Sequence, residues 1–304
     1  MLPLKNSTAV AVGLVEYNCS GGEMHLKTRL ITAAVGLVVL AVVMGFFHTP
    51  IFELVLCGIT LIALGEIYKA LQLESGAKMI FAGAVPYVAA VMFSGVLGIE
   101  PFVWLITFAF VLYMVICLVR HSQTLNFTKL CGWVLFGGII LLCFYSFAWM
   151  KQMMPKDGLY IVFLVLGFAW GGDSAAYFAG RFFGKHKLAP VVSPNKTIEG
   201  AVGGVIGSVI MGVLITMAHG AINGGDQALG GITTTHYWII AVLGVISSLL
   251  GILGDLFASA VKRQCGIKDY GYIFPGHGGI MDRFDSVLFI SPCVALGIVL
   301  AFYQ

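Results

Sequence analysis

The sequence predicts an all-α polytopic membrane protein of about nine transmembrane helices with a cytoplasmic N-terminus. Three observations carry that expectation. Only 10% of the 304 residues are charged while 59% are hydrophobic, and mean hydropathy is +0.98; soluble domains carry about 25% charged residues. Apolar stretches recur at the ~20-residue length that crosses a hydrocarbon core of about 30 Å. The basic residues gather on alternate connections between those stretches.

Nine apolar spans follow one another at roughly 30–47, 51–71, 79–98, 101–119, 132–149, 159–180, 198–218, 237–258 and 285–303. At these lengths only helices satisfy their own backbone hydrogen bonds in lipid, which is why the expected fold is all-α. The first span follows directly on His25-Leu26-Lys27-Thr28-Arg29. Spans two to five carry few polar groups and read as scaffold. Glu66 sits three residues before Lys69, at the i,i+3 spacing of an interfacial ion pair, and Glu53 and Glu100 fall where headgroup exposure suffices. In spans six to eight glycine becomes frequent, at the spacings that let helices approach closely in lipid. The sixth, eighth and ninth spans hold polar residues inside or at their ends.

With the N-terminus inside, fifteen Lys and Arg residues fall on the cytoplasmic side and only Lys151 and Lys156 on the other. That is a strong positive-inside bias, and losing one span would invert everything downstream. The net charge of +3 therefore understates a basic inner face suited to anionic headgroups or nucleotides; alternatively, the bias does no more than set topology. The seven cysteines are scattered, without CxxC or Cys/His pairing, and indicate neither a zinc site nor a disulfide framework. Three regions are expected: a dispensable tail or mis-assigned start at 1–23, with Met24 as an alternative start, a five-span scaffold at 24–158, and a four-span catalytic region at 159–304.

One segment departs from its surroundings. Residues 259–285 hold Lys262, Arg263, Lys268, Asp269, Asp282, Arg283 and Asp285, with His277 inside Gly276-His277-Gly278-Gly279. Just upstream, Asp255 lies about 10 Å deeper than Lys262 if the eighth span is a continuous helix. Asp255, Ser259 and Lys262 then share one helical face. A carboxylate below the interface marks a functional site or needs a partner; the alternative is a structural ion pair with a neighbouring helix. Asp282 and Asp285 share a face if the ninth helix begins there, and with Asp255 supply oxygen ligands for hard divalent cations. The glycine cluster offers backbone N–H groups free of side chains. Carboxylates for a metal, cations for phosphate and a glycine loop are the parts of a phosphoryl or nucleotidyl transfer site.

A second constellation begins at Gly171-Gly172-Asp173-Ser174 and continues through Gly180-Arg181 and Gly184-Lys185-His186-Lys187 to Ser193-Pro194-Asn195-Lys196-Thr197-Ile198-Glu199-Gly200. Asp173 is another acid inside a span. Arg181, Lys185, Lys187 and Lys196 are suited to phosphates or, alternatively, to anchoring spans six and seven at the interface. Ser193 before Pro194 reads as a helix start, because proline suits the first helical position.

The pattern Ser259-x2-Lys262-Arg263-x4-Lys268-Asp269-x-Gly271-x2-Phe274-Pro275-x-His277-Gly278-Gly279-x2-Asp282-Arg283-x-Asp285 resembles the complete signature of the phosphatidate cytidylyltransferase (CDP-diglyceride synthase) family. Asp173–Gly200 and Gly254-Asp255-Leu256-Phe257 resemble it too. The resemblance implies transfer of the cytidylyl group of CTP to phosphatidic acid, giving CDP-diacylglycerol and pyrophosphate. It implies Mg²⁺, with a second cation such as K⁺, held by Asp255 and Asp282 with Asp285 in support. Catalytic roles then fall to Asp282, Asp255, Lys262, Arg263, His277 and Asp285. Substrate binding falls to Asp173, Arg181, Lys185, Lys187, Lys196, Ser259, Lys268, Asp269, Gly278, Gly279 and Arg283. The implied setting is the inner (cytoplasmic) membrane, with the active site facing the cytoplasm, the bilayer as partner, a homodimer and no nucleic acid. Two other functions compete: a secondary transporter for an anionic substrate, against which no inverted repeat is visible, and a phosphatidyltransferase, whose D-G-x2-A-R-x8-G-x3-D-x3-D pattern is absent.

Overall fold

The computed structural model describes residues 20–73, 77–222, 234–274 and 278–302, with side chains from residue 31 onward. The tail expected at 1–23 thus lies almost wholly outside the described residues, and so does His277.

The chain is predominantly helical. It runs through α1 (Ser20–Gly45), α2 (Pro50–Ala70), α3 (Ala77–Met92), α4 (Ser94–Leu97), a 3-10 turn at Glu100–Phe102 and α5 (Val103–Arg120). Then come α6 (Phe127–Met153), α7 (Gly158–Phe183), strands β1 (Lys187–Ala189) and β2 (Ser193–Thr197), α8 (Ile198–Ile222), α9 (Thr234–Gln264), α10 (Met281–Phe284) and α11 (Val287–Phe302). Local chemistry sets several boundaries. Pro50 opens α2 where no backbone donor is needed, and Thr49 Oγ1 accepts from Ile51 N at 3.4 Å. Asn126 caps α6 by accepting from Lys129 N at 3.1 Å.

Among the described residues, six helices are long and apolar enough to cross a membrane: Ile51–Ala70, Glu100–Arg120, Phe127–Met153, Gly158–Phe183, Ile198–Ile222 and Thr234–Gln264. Ile31–Gly45, Ala77–Met92 and Val287–Phe302 are apolar but shorter. The third apolar stretch of the sequence is divided, since α3 ends at Met92 and Ser94 turns its hydroxyl back to Val91 O at 2.8 Å. The ninth holds one helix, α11, that begins two residues into the stretch, because Asp285 and Ser286 separate it from α10.

Residues 187–197 correct two expectations. They form an antiparallel β1–β2 hairpin, so the fold is not wholly α. Ser193 and Pro194 belong to β2, and α8 starts only at Ile198. Proline has no N–H to give a ladder and is confined to edge positions of sheets, which a two-stranded hairpin provides on both sides. Thr197, rather than Ser193, caps α8: its Oγ1 accepts from Gly200 N at 3.1 Å.

The α7–α8 contact is the most extensive helix pair, followed by α8–α9, and α11 packs on α6, α9 and α7. Small residues make α7–α8 close: a Cβ placed at Gly203 or Gly207 would meet Ala179 or Ala175 Cβ at 2.2 and 2.3 Å. One continuous core joins both halves of the chain, with Phe52, Ile67, Phe144, Phe168, Ile240, Leu288 and Ile298 among its members. Outward, α5 presents Trp104, Leu105, Phe108 and Val119, side chains that gain by contact with acyl chains rather than water.

The bundle has two chemically different ends. At one, the C-terminal turns of α2, α7 and α9 meet the starts of α6, α8 and α10. At the other, Lys151 of α6 pairs with Glu53 of α2 at 2.7 Å and lies over the Phe52 ring. Glu53 is therefore not a headgroup-exposed acid. Its side chain is 5% exposed, and burial demands the lysine. His219 of α8 lies 3.3 Å from Asp157 and stacks on Tyr160 at this same end.

Candidate active site

The first end gathers most of the charged residues singled out in the sequence. The last turns of α9 carry Asp255, Ser259 and Lys262 on one face, and Ser259 Oγ donates to Asp255 Oδ1 at 3.2 Å. The other Asp255 oxygen pairs with Lys196, which the hairpin delivers from β2. Asp255 thus has the cationic partner that burial requires, and that partner is itself one of the expected phosphate-binding lysines. Asp173 reaches the same region from α7. It accepts from Ser286 Oγ at 3.0 Å and is open to the cleft despite the atoms crowding around it. Ser286 N in turn donates to Asp285 Oδ1 at 2.9 Å. Asp173, Asp255 and Asp285 are close enough to act on one another electrostatically. A crevice with about 20 Å³ of free space runs inward from Asp173 and Ser286, past Gly172, Ser208 and Ser248, enough for about one water.

Asp282 occupies a separate position. Its Oδ1 accepts from Lys262 Nζ at 3.0 Å, and its Oδ2 accepts from Tyr270 N at 2.8 Å and Gly279 N at 3.0 Å. The side chain is 4% exposed. The expected trio of Asp255, Asp282 and Asp285 therefore does not converge: among the described residues no three His, Cys, Asp or Glu side chains could hold an ion together. The chain does not run as one helix through Asp282 and Asp285, and each carboxylate is taken by other donors, Asp255 by Ser259 and Lys196, Asp282 by Lys262, Tyr270 N and Gly279 N, and Asp285 by Ser286 N. Asp173, Asp255 and Asp285 are mutually repelling carboxylates with Lys196 as their only ion-pair partner among the described residues; as placed they form no three-acid cage, but one or two of them are the oxygen donors that Mg²⁺ takes together with substrate phosphates.

Around Asp282 the loop is tightly built. Tyr270 is buried, donates its hydroxyl to Ala258 O at 2.8 Å, and lies beneath the Lys262 ammonium at 5.4 Å. Burial pushes its phenol well above the usual tyrosine range. Phe136 of α6 packs on both Tyr270 and Phe257. Phe274 N donates to Gly278 O at 2.9 Å. Gly278 has φ +84°, and a Cβ there would lie 2.7 Å from Asp282 Oδ2, so only glycine fits both the turn and the contact. Of the glycine backbone expected to stand free for phosphate, Gly279 N is already given to Asp282, and Gly276 lies outside the described residues.

The cations beyond Lys262 and Lys196 are peripheral. Arg263, Lys268 and Arg283 are exposed and form no ion pair among the described residues, while Asp269 is partly exposed beside them. Arg181 donates to Tyr177 Oη at 2.8 Å. Lys185 and Lys187 are exposed on the hairpin, and Glu199 accepts from Lys185 N at 3.1 Å and from the backbone and ring of His186.

Sequence reasoning missed three participants. Tyr270 and Ser286 occupy positions next to the acidic residues and carry no signal of their own in a single sequence. Glu66 did carry one, as an acid inside an apolar span, but its expected ion pair with Lys69 is absent among the described residues: Lys69 is exposed, and both Glu66 oxygens accept from the loop, from Ile280 N at 3.0 Å and Met281 N at 2.9 Å.

A sequence model described as the cytidylyltransferase family matches residues 27–301. The phosphatidate cytidylyltransferase of Staphylococcus haemolyticus (strain JCSC1435) is 44% identical over 137 residues, 45% of this chain and 48% of that protein. The phosphatidate cytidylyltransferase of Staphylococcus aureus (strain COL) is similar to the same extent, 44% over 137 residues with the same coverage. The chain thus spans about half the length of the curated relatives it matches.

Proposed function

The chain belongs to the cytidylyltransferase family, and from that premise we propose that it transfers the cytidylyl group of CTP to phosphatidic acid, forming CDP-diacylglycerol and pyrophosphate. The observation that carries this reading is the meeting of three carboxylates, Asp173, Asp255 and Asp285, with Lys196 and Lys262 at one end of a membrane bundle. In the reaction, a phosphate oxygen of phosphatidate bonds to the α-phosphorus of CTP. The bond to the bridging oxygen breaks and pyrophosphate leaves with its electron pair. The nucleophile is already ionised, so no strong base is required. The difficulty is to bring two anions together, and fixed cations and preorganised donors lower that barrier.

Lys196 and Lys262 are the innermost cations, each now holding an aspartate; an incoming phosphate oxygen would compete for the same ammonium groups. Arg263, Lys268 and Arg283, with Arg181, Lys185 and Lys187 at and after the end of α7, would neutralise the triphosphate and the lipid phosphate. Asp255 and Asp285 would hold Mg²⁺ jointly with the substrate phosphates rather than as a three-acid cage, with Asp282 as counter-ion of Lys262 and organiser of the loop. Bound there, Mg²⁺ would screen the phosphate charge and favour departure of pyrophosphate. A second cation such as K⁺ belongs to the same proposal. His277, set within the glycine cluster among these charges, would act as a phosphate contact or proton carrier.

The basic bias supports a cytoplasmic N-terminus with the site facing the cytoplasm, where CTP is found, in the bacterial inner membrane. Nine crossings and a homodimer complete the reading. The test is pyrophosphate release by the purified protein in lipid nanodiscs. Release that requires CTP, phosphatidate and Mg²⁺ together is expected. Movement of an anion across a sealed vesicle without pyrophosphate release would instead favour a transporter.

A further inference from the structure

Glu66 lies in the penultimate turn of α2, in the half of the chain that reads as scaffold, yet both its oxygens are spent on the signature loop. Ile280, 214 residues away, donates its backbone N–H to Oε1, and Met281 donates to Oε2. The residue is 5% exposed. A buried carboxylate ordinarily takes a cation as partner. Here two main-chain donors stand in for one, which ties the acid to a backbone shape rather than to a side chain.

The fit is close on the loop side as well. A Cβ at Gly279 would sit 2.2 Å from Glu66 Oε1, and one at Gly271 would sit 2.3 Å from it. The two strands of the loop that approach α2 therefore do so at glycines. Immediately beyond Met281 comes Asp282, which gathers Gly279 N, Tyr270 N and Lys262. Three consecutive N–H groups, of Gly279, Ile280 and Met281, are thus held by two carboxylates, Asp282 and Glu66 of α2.

We propose that Glu66 is a positioning residue for the reaction: by accepting the Ile280 and Met281 N–H groups it fixes the loop so that Asp282 and Lys262 stand in the site. It touches no substrate and acts through those two residues. The kinetic half of this inference rests on the cytidylyl-transfer reading; the structural half does not.

The test compares the full-length protein with Glu66→Gln, Glu66→Ala, Gly279→Ala and Lys69→Ala, all in lipid nanodiscs. Backbone hydrogen exchange of the peptide covering Ile280 and Met281 is read beside steady-state turnover with CTP and phosphatidate. Glu66→Ala is expected to speed exchange at those amides by about 10-fold or more and to lower kcat by about 10- to 100-fold, the range for losing hydrogen bonds to a charged acceptor. Glu66→Gln keeps the shape and one carbonyl acceptor, so it should fall between Glu66→Ala and the wild type in both measurements. Gly279→Ala should reproduce the loss, and Lys69→Ala should match the wild type. Exchange in α7, α8 and α9 should stay unchanged throughout.

Wild-type exchange and turnover in Glu66→Ala would overturn the proposal. So would a rise in exchange across the whole bundle in Glu66→Gln, which would assign the acid to general stability. Should the wild-type protein form no CDP-lipid, the reaction reading fails, and the exchange pattern alone still decides whether Glu66 holds the loop.

Discussion

Replacing Asp282 by Asn tests the loop most sharply, because it removes one charge and almost no volume. The asparagine carbonyl can still accept from Tyr270 N and Gly279 N, which lie 2.8 and 3.0 Å from the native Oδ2. What it cannot do is balance Lys262, whose ammonium is 3.0 Å from Oδ1 in a side chain 13% exposed. Removing one member of such a buried pair costs about 3–5 kcal/mol. At about 1.4 kcal/mol per tenfold, this lowers the population of the native loop by roughly 10²- to 10⁴-fold unless Lys262 finds water or phosphate. Turnover should therefore fall by at least about 10²-fold, while the membrane bundle, which Asp282 does not hold together, stays folded. The assay is CDP-lipid formation in nanodiscs, with thermal unfolding as the control. The double variant Asp282→Asn/Lys262→Met should recover loop protection without recovering turnover, since it removes the stranded charge and the proposed phosphate ligand together. Wild-type turnover in Asp282→Asn would refute this reasoning, and so would strictly additive effects in the double variant.

Three further outcomes follow from the same contacts. Lys196→Ala strands Asp255 beside two other acids and removes an inner cation; turnover at saturating CTP should drop about 10²-fold, with Lys196→Arg retaining more of it than Lys196→Ala. Lys151→Met, at the far end of the bundle, leaves Glu53 buried without its cation, so the unfolding temperature should fall while the KM for CTP stays unchanged. Chelation of divalent cations should abolish pyrophosphate release, and added Mg²⁺ should restore it; release unaffected by chelator would remove the metal from the account.

How far the sequence could carry these conclusions depended on the range of the interactions involved. The helices α2 and α6 to α9 were legible because apolar length in lipid dictates helix, and their bounds fall within a few residues of the apolar runs. The gathering of charge at one end of the bundle was legible too, because Lys262, Asp255 and Asp282 are charges in a chain that otherwise avoids them. The shape of the site was not. Asp282 is taken by Lys262, Tyr270 N and Gly279 N rather than joining Asp255, and nothing in the local sequence announces that choice. The β1–β2 hairpin hides behind Ser193-Pro194, which reads locally as a helix start. Glu66 and Lys69 sit at ideal spacing for a pair, but the loop's N–H groups, more than two hundred positions away, win the carboxylate. Long-range competition of this kind has no signature in one sequence.

The most direct measurement uses CTP labelled either at the α-phosphorus or at the γ-phosphorus, with phosphatidate and Mg²⁺, and follows where each label goes. The account predicts that α-label enters the chloroform-soluble lipid while γ-label appears only in pyrophosphate. Label at the γ-position in lipid, or no lipid label from either CTP, would contradict cytidylyl transfer.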